Sequence, residues 1–270
     1  MQPPQTIAVL GSGWLGLPLI RTLAEAGYAT RGSYRREAAR AAVEDAGADP
    51  FLLDLPELSG PLAAFLEGCD TVVITLPPGG RQHGPATTER YLAALLPLRP
   101  HLSGLRVIYT SSTGVYGRTA AGVVTEATVV APDTDSSRAV VAAESWLRQH
   151  APRLTVLRLA GLFGPGREPA TFFPPDRTVS RGEVPVNMVH RADAVAAVRW
   201  VLETDSSGTY NVCAATHPTK AAFYAARGQL TGRPVPIFAT GGAAGKRIDS
   251  SALRSAGWSP RYDDLLHLPD

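Results

Sequence analysis

Short apolar runs alternate with longer amphipathic stretches along most of the chain. Runs bounded by glycine, proline or polar residues indicate buried strands, and apolar positions three and four apart indicate helices. The predicted strands are Thr6–Leu10, Ala29–Ser33, Phe51–Leu53, Asp70–Thr75, Leu105–Thr110, Leu154–Leu159 and Thr209–Cys213. The predicted helices are Leu15–Ala26, Glu37–Ala46, Thr88–Leu98, Ser137–His150 and Ala192–Glu203. This alternation predicts an α/β fold with a doubly wound parallel sheet, covered by helices on both faces.

The first predicted strand is followed at once by glycines in the spacing G-x-G-x-x-G, over residues 11–16. In this context the first glycine permits a tight turn, the second lets the backbone approach a pyrophosphate, and the third permits close helix–strand packing. The phosphates would lie at the positive end of the following helix. The pattern therefore predicts a Rossmann-type dinucleotide site, whose candidate residues are Gly11, Ser12, Gly13, Trp14, Leu15 and Gly16.

The end of the second strand indicates which dinucleotide is bound. An acidic residue usually stands near this position and binds the ribose 2′-hydroxyl of NAD. This chain instead has Ser33, Arg35 and Arg36, and Glu37 follows only after them. A guanidinium fork suits a 2′-phosphate, so we expect NADP, with NAD remaining possible. The alternative is that both arginines are solvated residues at the start of a helix.

A stretch rich in proline and glycine, Gly164–Pro175, marks the passage into a second part of the chain. We expect residues 1–162 to form the NAD(P)-binding domain, with the chain returning to it at 186–213. Residues 163–270 would then supply a smaller C-terminal lobe on the substrate side. A chain of 270 residues is long enough to bury a core of this extent.

Composition argues against several classes of protein. With 44% hydrophobic and 19% charged residues, the chain has the composition of an ordinary globular protein. A net charge of +2 without a basic stripe argues against nucleic-acid binding. No apolar stretch is long enough to span a bilayer and the first residues lack the features of a secretory signal, so we expect a cytoplasmic protein without a membrane partner. Cys69 and Cys213 form neither a disulfide framework nor a metal motif, and no metal is expected.

Four sequence motifs follow one another along the chain: GSGWLG at 11–16, SSTGVYG at 111–117, LRLAGLFGPGR at 157–167 and VNMVHRAD at 186–193. With these motifs in this order, the chain resembles the extended short-chain dehydrogenases/reductases, the NAD(P)-dependent epimerase/dehydratase group. Two closing segments, 245–249 and 253–258, resemble the C-terminal segment of a small atypical branch of that family. The resemblance implies a nicotinamide cofactor and chemistry at a carbonyl or alcohol carbon.

The resemblance also implies a catalytic role for Ser112. In the family, a serine or threonine three residues before the Val-Tyr-Gly triplet binds the reacting oxygen of the substrate. The alternative is a loop serine that caps backbone groups. The family's next element, a Tyr-x-x-x-Lys pair that moves the proton, has no counterpart here, because no tyrosine lies between Tyr116 and Tyr210 and no lysine precedes Lys220. The chain thus departs from the family at its usual general acid and base.

Substitutes for this pair can be named. Tyr116 carries a titratable hydroxyl, although the family's tyrosine at that position is usually structural. Arg138 would keep a cation near the nicotinamide ribose but is a poor proton donor. His190 and Arg167 are candidate substrate-binding residues. The alternatives are that His190 orients a loop together with Asp193, and that Arg167 is a solvated charge at the rim.

The remaining cofactor candidates lie just beyond other strand ends, where doubly wound sheets bind their ligands. Asp54 would accept a hydrogen bond from the adenine amino group, and Pro77 and Pro78 would pack against the cofactor. The other candidates near strand ends are Leu76, Ser111 and Leu162.

Two functions from different classes fit these features. The first is an atypical NAD(P)-dependent oxidoreductase or epimerase that acts on a small carbonyl or alcohol substrate held at Ser112. The second is a catalytically impaired NADP(H)-binding sensor or regulatory protein, which the missing tyrosine and lysine favour. In the first case the partner is a small-molecule substrate, and the protein is a monomer or a homodimer.

Overall fold

The computed structural model describes residues 5–57 and 60–268, and its largest sheet has seven parallel strands. The strands of this sheet are β1 (Thr6–Leu10), β2 (Ala29–Tyr34), β3 (Asp49–Leu52), β4 (Thr71–Ile74), β5 (Arg106–Ser112), β7 (Arg153–Leu159) and β11 (Gly208–Val212). The shorter strands are β6 (Gly122–Val124), β8 (Gly161–Phe163), β9 (Thr178–Val179), β10 (Met188–His190), β12 (Ile237–Phe238) and β13 (Lys246–Ile248). The helices are α1 (Gly16–Glu25), α2 (Arg40–Asp45), α3 (Leu62–Leu66), α4 (Gly80–His83), α5 (Thr87–Leu95), α6 (Asp135–His150), α7 (Arg191–Thr204), α8 (Lys220–Thr231) and α9 (Ser251–Ser255).

The α/β fold class predicted from the hydrophobic pattern is confirmed, and all seven strands of the sheet lie where that pattern predicts them. Their ends differ from the predicted ends by no more than two residues. The interior of the sheet explains this agreement, because β1, β4 and β5 are buried on both faces and give continuous apolar runs. None of the helices in residues 5–57 and 60–268 combines the length and the apolar character that a membrane span requires.

Two predicted helices are shorter in the structure than in the prediction. The predicted helix Glu37–Ala46 opens as a 3-10 turn over Glu37–Ala39 before α2 begins. The predicted helix Thr88–Leu98 becomes α5 followed by a 3-10 segment over Leu96–His101, which contains Pro97 and Pro100. Proline has no amide N–H and clashes with the preceding turn, so the α-helical hydrogen bonds cannot continue there.

The prediction missed α8, the short helices α3, α4 and α9, and the short strands outside the main sheet. Strands of two or three residues leave no periodic pattern to detect. In α8 the buried face carries Arg227 and Gly228 beside Phe223 and Tyr224. The apolar period of this helix is therefore interrupted. Arg227 is tolerated in its buried position because its guanidinium binds both carboxylate oxygens of Glu168, at 2.8 and 2.6 Å.

The order of strands in the main sheet is β11-β7-β5-β4-β1-β2-β3. The chain runs outward from β1 to β3 and then returns to β4 on the other side of β1, so the order reverses between β1 and β4. In open parallel sheets the crevice for a ligand lies at such a reversal, beyond the carboxyl ends of the strands. The topology therefore predicts a ligand crevice at the residues after Leu10 and Ile74.

By its internal contacts, the chain divides into two compact units. The first, which we call the sheet unit, contains the described residues up to Val115, together with Pro132–Leu157 and Val198–Thr209. The second unit contains Tyr116–Ala131, Arg158–Ala197 and the described residues from Tyr210 onwards. This division differs from the expected boundary at 162 with a return at 186–213.

The second unit is held together by pairings among its own short strands. β8 pairs with β10, β9 with β12 and β6 with β13, each pair in parallel. Its apolar core contains Phe163, Val186, Met188, Ala214, Phe223, Tyr224 and Leu265. Segments from several parts of the sequence thus contribute to the second unit, which explains why its boundaries are not visible as one break in composition.

Within the sheet unit, Arg106 of β5 forms hydrogen bonds with carbonyl groups at the C-terminal end of α7 and just beyond it. Its side chain is only 7% exposed and donates hydrogen bonds to the carbonyl oxygens of Val201, Leu202 and Ser206, at 2.6 to 3.1 Å. The last carbonyl groups of a helix have no partner within the helix, so a buried donor is needed for them. Arg106 also forms an ion pair with Asp205, at 3.2 Å.

We predict that Arg106→Met lowers the free energy of unfolding by about 2–4 kcal/mol, because three carbonyl acceptors lose a charged donor. Urea denaturation of the purified protein measures this loss. Arg153→Gln is the matched control, since Arg153 reaches the same Asp205 at 3.7 Å from an exposed position. Its loss should stay below about 1 kcal/mol. Equal losses in the two variants would show that the carbonyl contacts contribute nothing beyond the exposed ion pair.

Candidate functional site

The turn between β1 and α1 is fixed by hydrogen bonds to the end of β2. The Gly11 amide donates to Ser33 Oγ at 2.8 Å, and the Ser12 amide donates to the Ser33 carbonyl oxygen at 2.8 Å. The Gly13 amide donates to the Gly11 carbonyl oxygen at 2.8 Å and closes the turn. Ser33, which the sequence places among the cofactor candidates, is buried and holds the turn in position.

The three glycines of the turn have three different environments. Gly11 has a φ of 109°, in the region that disfavours side chains, and a Cβ there would lie 3.0 Å from Thr75 Oγ1. A Cβ on Gly16 would overlap the carbonyl oxygen of Gly11. Gly13 faces open space, with nothing within 4 Å of the position that a Cβ would take. The site thus has a turn that requires glycine, a tight helix–strand contact and an open face for a ligand.

Helix α1 presents its N-terminal end at this turn without a side-chain cap. Its N-cap residue is Leu15, the structure shows no side-chain cap hydrogen bond among the described residues, and the first turn carries no acidic residue. Such an end bears a partial positive charge that favours anions. A pyrophosphate group fits these features. Leu15 itself is buried and Trp14 is half-buried.

Ser12 is the clearest sign that this turn accommodates a ligand. Its Oγ is buried and has no hydrogen-bond partner among the described residues. The hydroxyl points towards β2, where a Cβ on Gly32 would lie 2.8 Å from it. A buried hydroxyl without a partner costs about 1–3 kcal/mol, so native structures rarely retain one. A bound dinucleotide would supply polar atoms at this turn.

The residues after β2 bear positive charge. Arg35 and Arg36 are exposed and form no ion pair with any described carboxylate. The nearest acidic residue along the chain, Glu37, is engaged elsewhere, since Tyr34 Oη lies 3.4 Å and Arg40 3.7 Å from its carboxylate. No acidic side chain stands at residues 33–36, in the usual place for binding a 2′-hydroxyl.

The residues after β4 lie beside the glycine turn, because β4 is the neighbour of β1 at the point where the strand order reverses. Thr75 Oγ1 donates to the Gly11 carbonyl oxygen at 2.7 Å, and Tyr91 Oη donates to the Leu76 carbonyl oxygen at 2.8 Å. Burial raises the pKa of Tyr91 to about 12, so this hydroxyl stays protonated. Sequence reasoning missed Thr75 and Tyr91, because neither belongs to a recognisable motif. The candidates Pro77 and Pro78 follow, the first exposed and the second half-buried.

The two serines at the end of β5 have different environments. Ser111 is buried and donates to Glu144 Oε1 of α6 at 2.5 Å. Ser112 is half-buried, and its Oγ accepts a hydrogen bond from the Gly114 amide at 3.1 Å. That contact leaves the hydroxyl hydrogen of Ser112 to donate to another group. Ser112 therefore retains the chemistry that its expected role needs, whereas the hydroxyl of Ser111 is used within the fold.

Two further cofactor candidates of the sheet unit lie in ordinary surroundings. Asp54 is half-buried beyond the end of β3. Arg138 is exposed in the first turn of α6, and its guanidinium binds Asp135 at 2.6 Å. Helix α6 carries no tyrosine and no lysine. The structure thus places a cation at the start of α6 but pairs it with a carboxylate of the same turn.

Tyr116 belongs to a buried hydrogen-bond network of the second unit. Its hydroxyl donates to Asn211 Oδ1 at 2.8 Å and accepts from the Arg158 guanidinium at 2.9 Å. Burial raises the pKa of Tyr116, which moves this hydroxyl further from neutral pH. Arg158 also lies over the Tyr116 ring, 5.0 Å from its centre. These contacts indicate a structural role for Tyr116 rather than the role of a proton donor.

His190 is neutral at physiological pH. Burial, followed by the charges of Arg191, Arg227 and Arg261, lowers its pKa to about 4. The ring packs against Tyr262 with 3.8 Å between centres and 36° between the ring planes, and the Ala192 amide donates to Nδ1 at 3.3 Å. Asp193 is not its partner here, since the Asp193 carboxylate accepts from the backbone amides of Arg261 and Tyr262 instead.

The other candidates of the second unit lie near β8. Leu162 is half-buried within β8. Arg167 is exposed and ends a tight turn, in which its amide donates to the Gly164 carbonyl oxygen at 2.8 Å. Over residues 5–57 and 60–268, no group of three or more His, Cys, Asp or Glu side chains is placed to hold a metal ion.

The reversal in strand order, the glycine turn and the uncapped helix end define a dinucleotide-binding protein with a Rossmann-type fold. Comparison with known proteins agrees with this class. Residues 11–200 match the family model described as NAD(P)H-binding. The chain belongs to the NAD(P)H-binding family.

Proteins of similar length resemble this chain in sequence or in fold. Protein YeeZ of Escherichia coli (strain K12) is 38% identical over 275 residues, which cover 97% of this chain and 98% of that protein. A putative NAD-dependent epimerase/dehydratase from Methylobacillus flagellatus has a similar fold, with a TM-score of 0.75 and 22% identity over 97% of this chain and 95% of that one. UDP-glucose 4-epimerase from Thermus thermophilus, in complex with NAD, gives a TM-score of 0.79 and 18% identity over 97% of each chain.

We predict that Gly13→Val weakens dinucleotide binding by at least about tenfold, because the side chain would fill the space through which the backbone meets the pyrophosphate. Titration with NADPH, followed by fluorescence, measures the affinity. The unfolding free energy should change by less than about 1 kcal/mol, since nothing lies within 4 Å of the added Cβ. Gly16→Ala is the contrasting variant and should destabilise the fold. Unchanged affinity in Gly13→Val would contradict the assigned role of this turn.

Proposed function

We propose that this protein is an atypical NADP-dependent oxidoreductase or epimerase of the short-chain dehydrogenase/reductase type, acting on a small carbonyl or alcohol substrate. The observation that carries the proposal is the turn after β1, with its open face at Gly13, its uncapped helix end and the unpartnered hydroxyl of Ser12. When bound there, a nicotinamide dinucleotide supplies or accepts a hydride. The protein's own residues bind it and orient the substrate.

The charge after β2 supports NADP as the cofactor. Arg35 and Arg36 are exposed, and neither forms an ion pair with a carboxylate of the described chain. A guanidinium can bind a 2′-phosphate through two charged hydrogen bonds. The carboxylate of Glu37 has its own partners in Tyr34 and Arg40, so it does not substitute for the usual acidic residue.

We predict that Arg35→Gln raises the dissociation constant for NADPH by about tenfold or more and leaves that for NADH within about twofold, because only NADPH carries the 2′-phosphate. Fluorescence titration with both cofactors measures the difference. Arg21→Gln is the matched control, since Arg21 is exposed on α1 and belongs to no proposed contact. Equal affinities for the two cofactors, unchanged in Arg35→Gln, would rule out the preference for NADP.

Ser112 is the proposed contact to the reacting oxygen of the substrate. Its Oγ accepts from the Gly114 amide, so its own hydrogen remains available for a substrate oxygen. A donor of this kind stabilises negative charge that develops on the oxygen as a carbonyl is reduced. The usual tyrosine and lysine are absent from α6, and the Tyr116 hydroxyl is engaged by Arg158 and Asn211. We therefore propose that the proton comes from a substrate group or from water.

A second candidate function is a sensor that binds NADP(H) without turnover. The composition of α6 favours it, because this helix offers neither a tyrosine nor a lysine, and its Arg138 is paired with Asp135. Such a protein would retain the dinucleotide site and report cofactor occupancy to a partner. The retained hydroxyl hydrogen of Ser112 favours the enzyme instead.

We predict that Ser112→Ala lowers kcat/KM by about a hundredfold or more on any carbonyl substrate that the wild type reduces, because a preorganised donor is lost. A spectrophotometric screen of small aldehydes and ketones with NADPH identifies the substrate and measures the rate. Ser112→Thr retains a hydroxyl and should restore much of the activity. NADPH affinity should be the same in all three proteins. NADPH binding without any Ser112-dependent turnover would overturn the enzyme and leave the sensor.

A further inference from the structure

A basic cleft lies within the second unit, beside β13 and the first residue of α8. Its cavity has a volume of about 220 Å³. Four cationic side chains line it, from Arg118, Arg181, Lys220 and Lys246, together with the amide side chain of Asn187. Among the described residues, no aspartate or glutamate lines this cleft. The lining is therefore a concentration of positive charge.

Two of these cations have no ion pair among the described residues. Neither Arg181 nor Lys220 contacts a carboxylate in the part of the chain that the structure describes. The Lys220 ammonium has only a long contact, 3.5 Å, with the Ser180 carbonyl oxygen. Burial and the neighbouring charge of Arg181 lower the pKa of Lys220.

The backbone holds Arg181 in a conformation that side chains rarely adopt. Its φ is 60°, in the left-handed region, which costs about 1 kcal/mol or more for a residue with a Cβ. Gly242, at a φ of 90°, packs against it, and a Cβ there would lie 3.2 Å from Arg181 Nε. Gly245 packs on Val184, and a Cβ there would lie 2.5 Å from Val184 Cγ2. The glycines let two loops meet closely around the Arg181 side chain.

Lys220 also occupies an unfavourable place for a cation. It is the first residue of α8, where the helix end already bears partial positive charge. The amides of this turn are occupied, since Lys220 N–H donates to the Val184 carbonyl oxygen and Ala222 N–H donates to Thr219 Oγ1 at 3.2 Å. A ligand in the cleft would therefore meet side-chain cations rather than free backbone amides.

The cleft contains both lysine residues of a chain whose other basic residues are arginines. Of 26 basic residues only Lys220 and Lys246 are lysines, and both line this cleft. The Lys246 ammonium donates to the Gly117 carbonyl oxygen, which fixes its position. The Asn187 side chain is held on both sides, since its amide donates to the Lys246 carbonyl oxygen at 3.0 Å and its Oδ1 accepts from the Ile248 amide at 2.7 Å. The wall formed by β13 is thus pre-organised.

We propose that this cleft is a binding site for a small molecule that carries at least two negative charges on phosphate or carboxylate groups. Arginine offers a planar fork and lysine a compact charge, and both groups pair with oxyanions. The volume lies below the range of about 300–1,000 Å³ that is typical of drug-sized ligands, so the cleft holds a small ligand or the anionic end of a larger one. A consequence that rests on the proposed function is that the enzyme selects anionic substrates.

The test is calorimetric titration of the full-length protein with inorganic phosphate, pyrophosphate, succinate and citrate. Buffer at roughly physiological ionic strength screens unspecific surface attraction. We expect pyrophosphate or citrate to bind, and Arg181→Gln and Lys220→Gln each to weaken that binding by about tenfold. Preference for the phosphates or for the carboxylates identifies the natural oxyanion. NADPH titration of each variant checks that the fold is intact.

Arg247→Gln is the matched control, because Arg247 follows Lys246 on β13, is exposed and does not line the cleft. It should change anion affinity by less than about twofold. No binding of any of the four anions, or equal losses in Arg247→Gln and Arg181→Gln, would overturn the proposal. Failure of this proposal can be distinguished from failure of the proposed function, since anion binding is measured without turnover. If the protein binds an anion but never oxidises NADPH, the proposed anion site stands and only the proposed enzymatic function is refuted.

Discussion

The candidate cofactor site depends on one constraint, the attachment of the turn after β1 to the end of β2. Two amides of the turn, from Gly11 and Ser12, donate to the hydroxyl and the carbonyl oxygen of Ser33 at 2.8 Å. The attachment requires β2 to approach closely, and a Cβ on Gly32 would lie 2.5 Å from Val43 and 2.8 Å from Ser12. Gly32 lies outside the recognised glycine motif, yet the position of the turn after β1 depends on it.

The two proposed anion sites, one in each unit, use physically different interactions. In the sheet unit, the pyrophosphate of the proposed cofactor would meet backbone amides and the positive end of α1, which carry no net charge. In the second unit, the proposed anion meets side chains of Arg181, Lys220 and their neighbours, which carry full charges. The first mode depends on the shape of the backbone at Gly13. The second depends on a lining that, among the described residues, contains no aspartate or glutamate.

Several candidate residues that belong to one sequence motif have different roles in the structure. Ser111 and Ser112 are adjacent, but successive residues of a strand point to opposite faces, so one hydroxyl is bound by Glu144 and the other keeps its hydrogen. No sequence pattern distinguishes two adjacent serines in this way. Tyr116 likewise carries a titratable hydroxyl in sequence, whereas in the structure Arg158 engages it within a buried network. The chemistry of a side chain is visible in the sequence, but its partners are not.

The sequence by itself determined the strands of the main sheet and the dinucleotide turn, because each of these is a local feature. Buried parallel strands give continuous apolar runs, and the glycine motif occupies six consecutive residues, 11–16. Only the tertiary structure decided the second unit and its basic cleft. Arg118, Arg181, Lys220 and Lys246 are spread over more than a hundred residues, and the short strands that bring them together are too brief to leave a periodic signal. Their shared electrostatic field exists only when those segments pair.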